Sequence, residues 1–126
     1  MAPVLDVAPE GGGFIGSRSF GPMVGRITDM GRAYLAAFRA AGVLGAAKHF
    51  PGLGEAVIDP HHELPLMEVG PARLEEKDLR PVSDLIASGL PAVMTTHALY
   101  PALDPDHPAT FSARIVDLVQ NRPDFG

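Results

Sequence analysis

The fold of this chain is constrained most by three short apolar segments. Each segment ends in polar residues, and a long loop follows each one. The segments cover residues 2–7, 43–48 and 91–96. The polar residues at their ends are Asp6, Lys48-His49 and Thr96-His97. Buried parallel strands read as continuous apolar runs of this kind. Because the carboxyl ends of parallel strands meet at one edge, we predict that these polar residues share one face.

The regions between these segments have the pattern of helices. The first predicted helix ends at Gly42, and its buried face carries the apolar residues that recur at helical spacing. They are Ile27, Met30, Tyr34, Phe38 and Ala41. Further helical stretches are predicted over 72–77, 81–89 and 112–121, the last with Ser112 as its N-cap. Strands that alternate with helices predict the α/β class with a parallel sheet.

Composition excludes several classes of protein. The 126 residues suffice for one modest domain with a real core. A formal net charge of -5 argues against a nucleic-acid partner. No apolar run approaches the ~20 residues that span a bilayer, so no membrane partner is expected. Cysteine is absent and the amino end shows no signal-peptide pattern, and together these observations favour a cytoplasmic location.

The second apolar segment opens into the most informative loop of the sequence. Lys48 and His49 are followed by the Pro/Gly-rich stretch 50–54, and the loop then reaches Asp59-Pro60-His61. In an Asp-x-His arrangement the carboxylate can accept from one ring nitrogen and fix the tautomer, which leaves the other nitrogen to move a proton. Because His62 follows directly, the sequence leaves open which imidazole Asp59 binds.

Five segments, in order and at matching spacing, resemble the N-acetyl-β-glucosaminidase branch of glycoside hydrolase family 3. They are residues 2–7, the 14–20 stretch containing Ile-Gly-Ser-Arg-Ser-Phe, the 48–61 string, the 93–97 segment Val-Met-Thr-Thr-His and the 108–112 segment Pro-Ala-Thr-Phe-Ser. The resemblance covers nearly the whole chain and implies a partial TIM (β/α)8 barrel of about three βα units. We therefore expect residues 1–126 to be an internal segment of a single N-terminal barrel domain of that family.

The resemblance also implies an activity and a site. The activity is the retaining hydrolysis of a terminal β-linked N-acetylglucosamine, with peptidoglycan fragments as the carbohydrate partner and no cofactor. Arg18, Lys48 and His49 would hold the hydroxyls and the N-acetyl oxygen of the terminal sugar. His61 would be the acid/base and Asp59 its orienting partner. Arginine and lysine are donor-only groups suited to sugar oxygens, and an imidazole can give and then recover a proton.

The chain departs from the family pattern at two places. Leu53 stands where the family commonly has histidine, which puts the packing of this loop and part of the substrate preference in doubt. In the family, the strand that bears the nucleophilic Asp begins a few residues after a segment like 123–126, and a retaining glycosidase needs that carboxylate near its acid. The alternative is therefore a catalytically incomplete segment that only binds sugar or is inactive. Its unpaired sheet edges would favour self-association.

A metal site is the rival interpretation from another class. The nitrogen and oxygen ligands that could converge on Zn²⁺ or Mn²⁺ are His49, Asp59, His61, His62 and His97. No His-x-x-x-His or His-x-His on a regular element orients two of them in advance, so no metal is expected. Two other polar residues have structural interpretations. Asp6 can support Arg18 or Lys48, and His97 is interpreted as a core or supporting histidine.

Overall fold

The computed structural model describes residues 1–122. Residues 123–126, the segment compared above with the approach to the nucleophile strand, lie outside the described residues. In chain order the helices and strands are α1 (Val24–Ala40), β1 (Ala47–Phe50), α2 (Pro71–Arg73), α3 (Leu79–Ile86), β2 (Val93–Thr95) and α4 (Ala113–Gln120). A π-helical turn, Leu74–Asp78, joins α2 to α3. None of the helices in this part of the chain has the length and apolar character needed to cross a membrane.

The three predicted strand segments lie side by side. β1 and β2 form a parallel pair in which Lys48 lies opposite Met94. The amino-terminal segment joins the other side of β1, where Val4 forms a parallel bridge with Lys48 and the Leu5 N–H donates to the Lys48 carbonyl at 2.7 Å. Helix α3 packs on β1, and α1 packs on α3. The parallel α/β arrangement predicted from the sequence is confirmed.

The second strand begins later than predicted, at Ala47 instead of Val43. The end of α1 explains the difference, because the Gly42 N–H donates to the Arg39 carbonyl and the Val43 N–H donates to the Phe38 carbonyl. This pair of bonds is the Schellman motif, and Gly42 has the positive φ of 67° that it requires. Val43 therefore belongs to the helix end, and its side chain is 51% exposed.

The predicted buried face of α1 is wrong at three positions, one of which, Ala41, is exposed and follows the end of the helix. Met30 and Tyr34 are each 37% exposed. The buried residues of the helix are Ile27, Thr28, Gly31 and Leu35. A Cβ at Gly31 would lie 2.8 Å from Leu85 Cδ2 and 3.0 Å from Leu5 Cδ2. The missing side chain at Gly31 lets α1 approach α3 closely, and this close approach selects the buried face.

The helices predicted over 72–77 and 81–89 form one continuous helical segment from Pro71 to Ile86. Val82, Leu85 and Ile86 are buried, as the sequence predicts. Arg39 of α1 donates to the carbonyls that follow this segment, at 2.6 Å to Ser88 and 2.7 Å to Gly89. A long-range ion-to-carbonyl contact therefore satisfies the backbone groups exposed where the helix ends.

Ser112 caps α4 as predicted. Its hydroxyl oxygen accepts from the Ile115 N–H at 3.2 Å, and its proton goes to Asp104 Oδ2 at 2.7 Å. The hydrogen bond from Ser112 is the largest cause that lowers the pKa of Asp104 to about 2. Through this carboxylate, the start of α4 is fixed to the loop that follows β2.

Two glycines of α1 predict opposite effects of the same substitution. Gly25→Ala places its Cβ in open space, and replacing a helical glycine should raise the free energy of unfolding by about 0.5–1 kcal/mol. Gly31→Ala drives its Cβ into buried Leu85 and Leu5, so we expect a loss of about 1–3 kcal/mol. Denaturant titration of both variants measures the two shifts. A stabilised Gly31→Ala variant would contradict the close packing of α1 on α3.

Candidate active site

A buried carboxylate, Asp6, organises the carboxyl-end edge of the sheet. Its side chain is fully buried and accepts hydrogen bonds from His49 Nδ1 at 2.7 Å, from the Leu53 N–H at 2.8 Å and from the His49 N–H at 3.3 Å. Its backbone carbonyl accepts from Ser19 Oγ at 2.7 Å. These partners differ from the two cations that the sequence suggested. A buried charge needs donors close by, and the end of β1 supplies them from the imidazole and the backbone.

The Pro/Gly-rich start of the loop is fixed by close packing. A Cβ at Gly54 would lie 2.3 Å from the Val7 carbonyl oxygen, so only glycine allows this approach. Gly52 has a φ of 138°, and its carbonyl accepts the hydroxyl of Tyr100. Burial raises the pKa of Tyr100, which keeps this hydroxyl protonated as a donor. Leu53, in place of the expected histidine, is fully buried in the core.

Two carboxyl groups border this part of the loop, and their pKa values are shifted in opposite directions. Glu55 accepts from Lys77 Nζ at 2.7 Å and also pairs with Arg73. The hydrogen bond from Lys77 is the largest cause that lowers the pKa of Glu55. Burial raises the pKa of Asp78 to about 7. This second carboxyl lies against the loop, since a Cβ at Gly52 would be 2.5 Å from Asp78 Cβ.

The Asp59-Pro60-His61 segment forms a second Asp–His pair. His61 Nδ1 lies 2.7 Å from Asp59 Oδ1, and the His61 backbone N–H donates to the same oxygen at 2.8 Å. His62 Nε2 is 4.0 Å from Asp59 Oδ2, so the close partner is His61. The backbone N–H of His61, and after it the ring, lowers the pKa of Asp59. An ionised Asp59 accepts from Nδ1–H and leaves Nε2 of His61 to exchange a proton.

The loop that carries this pair is anchored at both ends and exposed between them. At its start, the Phe14 N–H donates to the Ala56 carbonyl at 2.7 Å. At its end, backbone hydrogen bonds of 2.8 and 2.9 Å join it to Leu99. None of residues 57–64 is buried, and the His61 side chain is 71% exposed. Segments with few buried contacts open at a low free-energy cost, so this loop can move without disturbing the core.

His49 and His61 line one small cavity of about 30 Å³ at the end of β2. The other residues that line it are Pro60, Met94, Thr95, Thr96 and His97. His97 is exposed, so its interpretation as a core histidine is wrong. Its Nδ1 lies 2.9 Å from Thr110 Oγ1, and the Thr110 hydroxyl donates to the Thr96 carbonyl at 2.8 Å. Since that hydroxyl proton is already engaged, its oxygen accepts from Nδ1–H of His97.

Arg18 lies on the neighbouring loop beside Phe14. Its guanidinium carbon is 4.5 Å from the Phe14 ring centroid, and its nitrogens donate to the carbonyls of Phe14 at 3.1 Å and Ile15 at 3.3 Å. The Phe14 and His61 ring centroids are 6.1 Å apart. One side chain therefore separates Arg18 from His61. Sequence reasoning missed Phe14, because a single aromatic residue after three glycines has no pattern that marks it.

Lys48 is the candidate residue least connected to the others. It precedes His49 across a cis peptide bond and lies between Val4 and Met94 in the sheet. It is not among the residues that line the cavity shared by His49 and His61. The structure thus groups His49, Asp59 and His61, brings Arg18 near them through Phe14, and leaves Lys48 within β1 between its neighbouring strand segments.

The five candidate metal ligands do not form a common cluster. Within residues 1–122, no three His, Asp or Glu side chains are grouped so that they could hold a metal ion. Instead, Nδ1 of each of three imidazoles has its own hydrogen-bond partner: Asp6 for His49, Asp59 for His61 and Thr110 for His97.

Parallel strand segments with helices between them, and an Asp–His pair on the loop after β1, define a segment of the α/β class. The family model for the glycosyl hydrolase family 3 N terminal domain matches residues 1–126, and the chain belongs to this family.

Known relatives agree with this assignment. A β-hexosaminidase of Nitrosomonas eutropha is 34% identical over 126 residues, which are 99% of this chain and 36% of the relative. A family 3 β-N-acetylglucosaminidase from Paenibacillus sp. is 39% identical with a TM-score of 0.87, over 91% of this chain and 22% of that one. NagZ from Neisseria gonorrhoeae, solved in complex with N-trifluoroacetyl-D-glucosamine, is 32% identical with a TM-score of 0.83, over 93% of this chain and 35% of that one. The partial barrel predicted from the sequence is confirmed, and the chain spans about a third of the curated relative's length.

The two Asp–His pairs predict different responses to the same substitution. Asp6→Asn removes one acceptor oxygen from a fully buried group that serves three donors, so we expect the free energy of unfolding to fall by about 1–3 kcal/mol. Asp59→Asn changes a pair whose imidazole is 71% exposed, so the free energy of unfolding should change much less. Thermal and denaturant unfolding of the two variants measure the difference. Equal losses would contradict the structural role of Asp6.

Proposed function

We propose that the chain is an internal segment of one barrel domain in a retaining glycosidase that releases terminal β-linked N-acetylglucosamine. The observation that carries this proposal is the Asp59–His61 pair, with its 2.7 Å contact, on an exposed loop beside the cavity that His49 also lines. We infer the identity of the sugar from the resemblance to β-N-acetylglucosaminidases. The Neisseria relative was solved in complex with N-trifluoroacetyl-D-glucosamine. On the same resemblance, peptidoglycan fragments are the natural substrate.

In the proposed mechanism, His61 transfers the proton in both half-reactions. Its imidazolium, held through Nδ1–H by Asp59, protonates the leaving oxygen from Nε2 as the glycosidic C–O bond breaks. The carboxylate that attacks the anomeric carbon belongs to an Asp outside these 126 residues. Water then attacks the same carbon, Nε2 of His61 takes its proton, and the carboxylate leaves. Asp59 stabilises the charged ring in the first step and fixes its tautomer in the second.

The sugar itself is held by side chains from two segments. Arg18 and Lys48 supply N–H groups to the hydroxyls and to the N-acetyl oxygen. His49 donates Nδ1–H to Asp6, which fixes its ring, and its Nε2 accepts from a sugar hydroxyl. The proposal needs no cofactor and no nucleic-acid partner. We also propose a cytoplasmic location, which the absence of cysteine supports.

His61→Ala in the full-length protein should separate proton transfer from binding. A sugar or alkyl leaving group departs only with a proton, so its turnover should fall by about 10²–10⁴-fold. An activated aryl leaving group departs without a proton, so the first step with an aryl N-acetyl-β-glucosaminide should change far less. His62→Ala is the matched control, because His62 lies 4.0 Å from Asp59 and makes no close pair with it. Equal losses on both substrate classes would contradict the acid/base role of His61.

The 126-residue chain by itself should behave differently from the full-length protein. Its described sheet has two paired strands, and large apolar side chains are exposed, such as Leu44 at 84% and Phe111 at 75%. Such edges and apolar surface favour association, so we expect self-associated protein in sedimentation experiments. Without a nucleophilic carboxylate, it should not turn over an aryl N-acetyl-β-glucosaminide. A monomeric, cooperatively folded chain with turnover would contradict both expectations.

A further inference from the structure

Phe14 lies between the residue assigned to sugar binding and the residue assigned to proton transfer. The guanidinium of Arg18 is 4.5 Å from its ring centroid, and the His61 ring centroid is 6.1 Å away at an interplanar angle of 58°. Both distances are within the range of attractive cation–π and aromatic contacts. The ring is half-buried and packs against the hydrophobic core. Phe14 is therefore in contact with both functional loops.

The backbone around Phe14 fixes the position of this ring. Its N–H donates to the Ala56 carbonyl at 2.7 Å, at the start of the exposed loop. The preceding residue, Gly13, has a φ of 72°, and a Cβ there would lie 2.9 Å from the same carbonyl oxygen. Only glycine allows this close approach. The backbone that carries the ring is therefore hydrogen-bonded to the start of the loop that carries His61.

The same segment orients Arg18 for a ligand. Nε donates to the Ile15 carbonyl at 3.3 Å and Nη2 to the Phe14 carbonyl at 3.1 Å. A guanidinium has five N–H donors, so both N–H groups of Nη1 and one of Nη2 are left to bind a sugar oxygen. The two carbonyls and the ring orient the guanidinium of this exposed side chain, and a sugar bound to the free N–H groups restricts the motion that remains.

We propose that Phe14 is a positioning residue that couples sugar binding at Arg18 to the placement of His61 over the leaving oxygen. This inference rests on the proposed function. A sugar on Arg18 holds the guanidinium against the ring, the ordered ring offers His61 a fixed contact, and docking of the loop then requires less additional ordering. Contacts of this kind are worth roughly 2- to 10-fold in an equilibrium. Phe14 touches neither the substrate nor the reacting atoms in this arrangement.

The first test compares Phe14→Leu, which keeps an apolar side chain and loses the ring, with Phe14→Tyr, which keeps the ring, in the full-length protein. For a disaccharide with a poor leaving group, Phe14→Leu should lower kcat by roughly 2- to 10-fold. For an aryl N-acetyl-β-glucosaminide, the rate of the first step should hold and KM should rise. Phe14→Tyr should behave as the parent. Tyr34→Leu, in an aromatic contact with Phe38 on α1, is the control for general loss of an aromatic residue.

The second test removes His61, the residue whose placement Phe14 is proposed to control. In a His61→Ala background, Phe14→Leu should no longer lower kcat for the disaccharide, although its effect on KM should persist. Hydrogen exchange of residues 56–64 gives a readout that does not depend on turnover. Saturating N-acetylglucosamine should protect this segment in the parent and protect it less in Phe14→Leu.

The outcomes separate this inference from the function on which it rests. Equal loss of the first-step rate on both substrates, the same loss in the His61→Ala background, or unchanged protection in Phe14→Leu would each overturn the coupling and leave the glycosidase proposal standing. Failure of the parent protein to hydrolyse either substrate would overturn both.

Discussion

A buried carboxylate is stable only when hydrogen-bond donors lie close to it. Asp6 is such a group, and it lies where the first strand segment ends. Its donors are the imidazole and N–H of His49 and the N–H of Leu53. To bring these donors to it, the loop must turn back over the strand at Gly54, where only glycine fits against the Val7 carbonyl. The path of the loop, the orientation of His49 and the place where the exposed segment begins all depend on this one charge. Its desolvation is tolerated because every donor is close and specific.

Two Asp–His pairs at this edge of the sheet share the same 2.7 Å contact and have opposite surroundings. In the buried pair, the imidazole is locked between a strand end and a core carboxylate. In the Asp59–His61 pair, the ring is 71% exposed on a segment with no buried residue. A group that only holds a sugar hydroxyl benefits from rigidity, whereas a group that gives and recovers a proton must reach the leaving oxygen and then withdraw for water. Burial distinguishes the two pairs more than their internal geometry does.

The sequence predicted what depends on local pattern and missed what depends on packing between distant segments. Apolar runs and helical spacing are sufficient for the parallel strands and for the Ser112 cap. The Asp-x-His motif marks Asp59, but its choice of His61 over His62 is seen only in the structure. The face of α1 could not be predicted, because it depends on the absence of a side chain at Gly31 facing Leu85, far away in the chain. Val43 was assigned to a strand because its apolar character carries no sign that its N–H closes a helix. The position of Phe14 in the site could not be predicted for the same reason, since Arg18 and His61 come together around it only in the fold.

The anchoring of the loop at Ala56 and Leu99 has a consequence for how such a domain can change over time. Residues 57–64 contribute nothing buried, so their length and composition can vary while the core and the strand ends keep their structure. Insertions in exposed segments with fixed ends add little to the free energy of loop closure. Changes in this stretch can therefore accumulate without altering the strands or the buried Asp6–His49 pair. Under the proposed function, they would change how His61 reaches the leaving group. This separation would allow the substrate preference to change without a loss of stability in the rest of the domain.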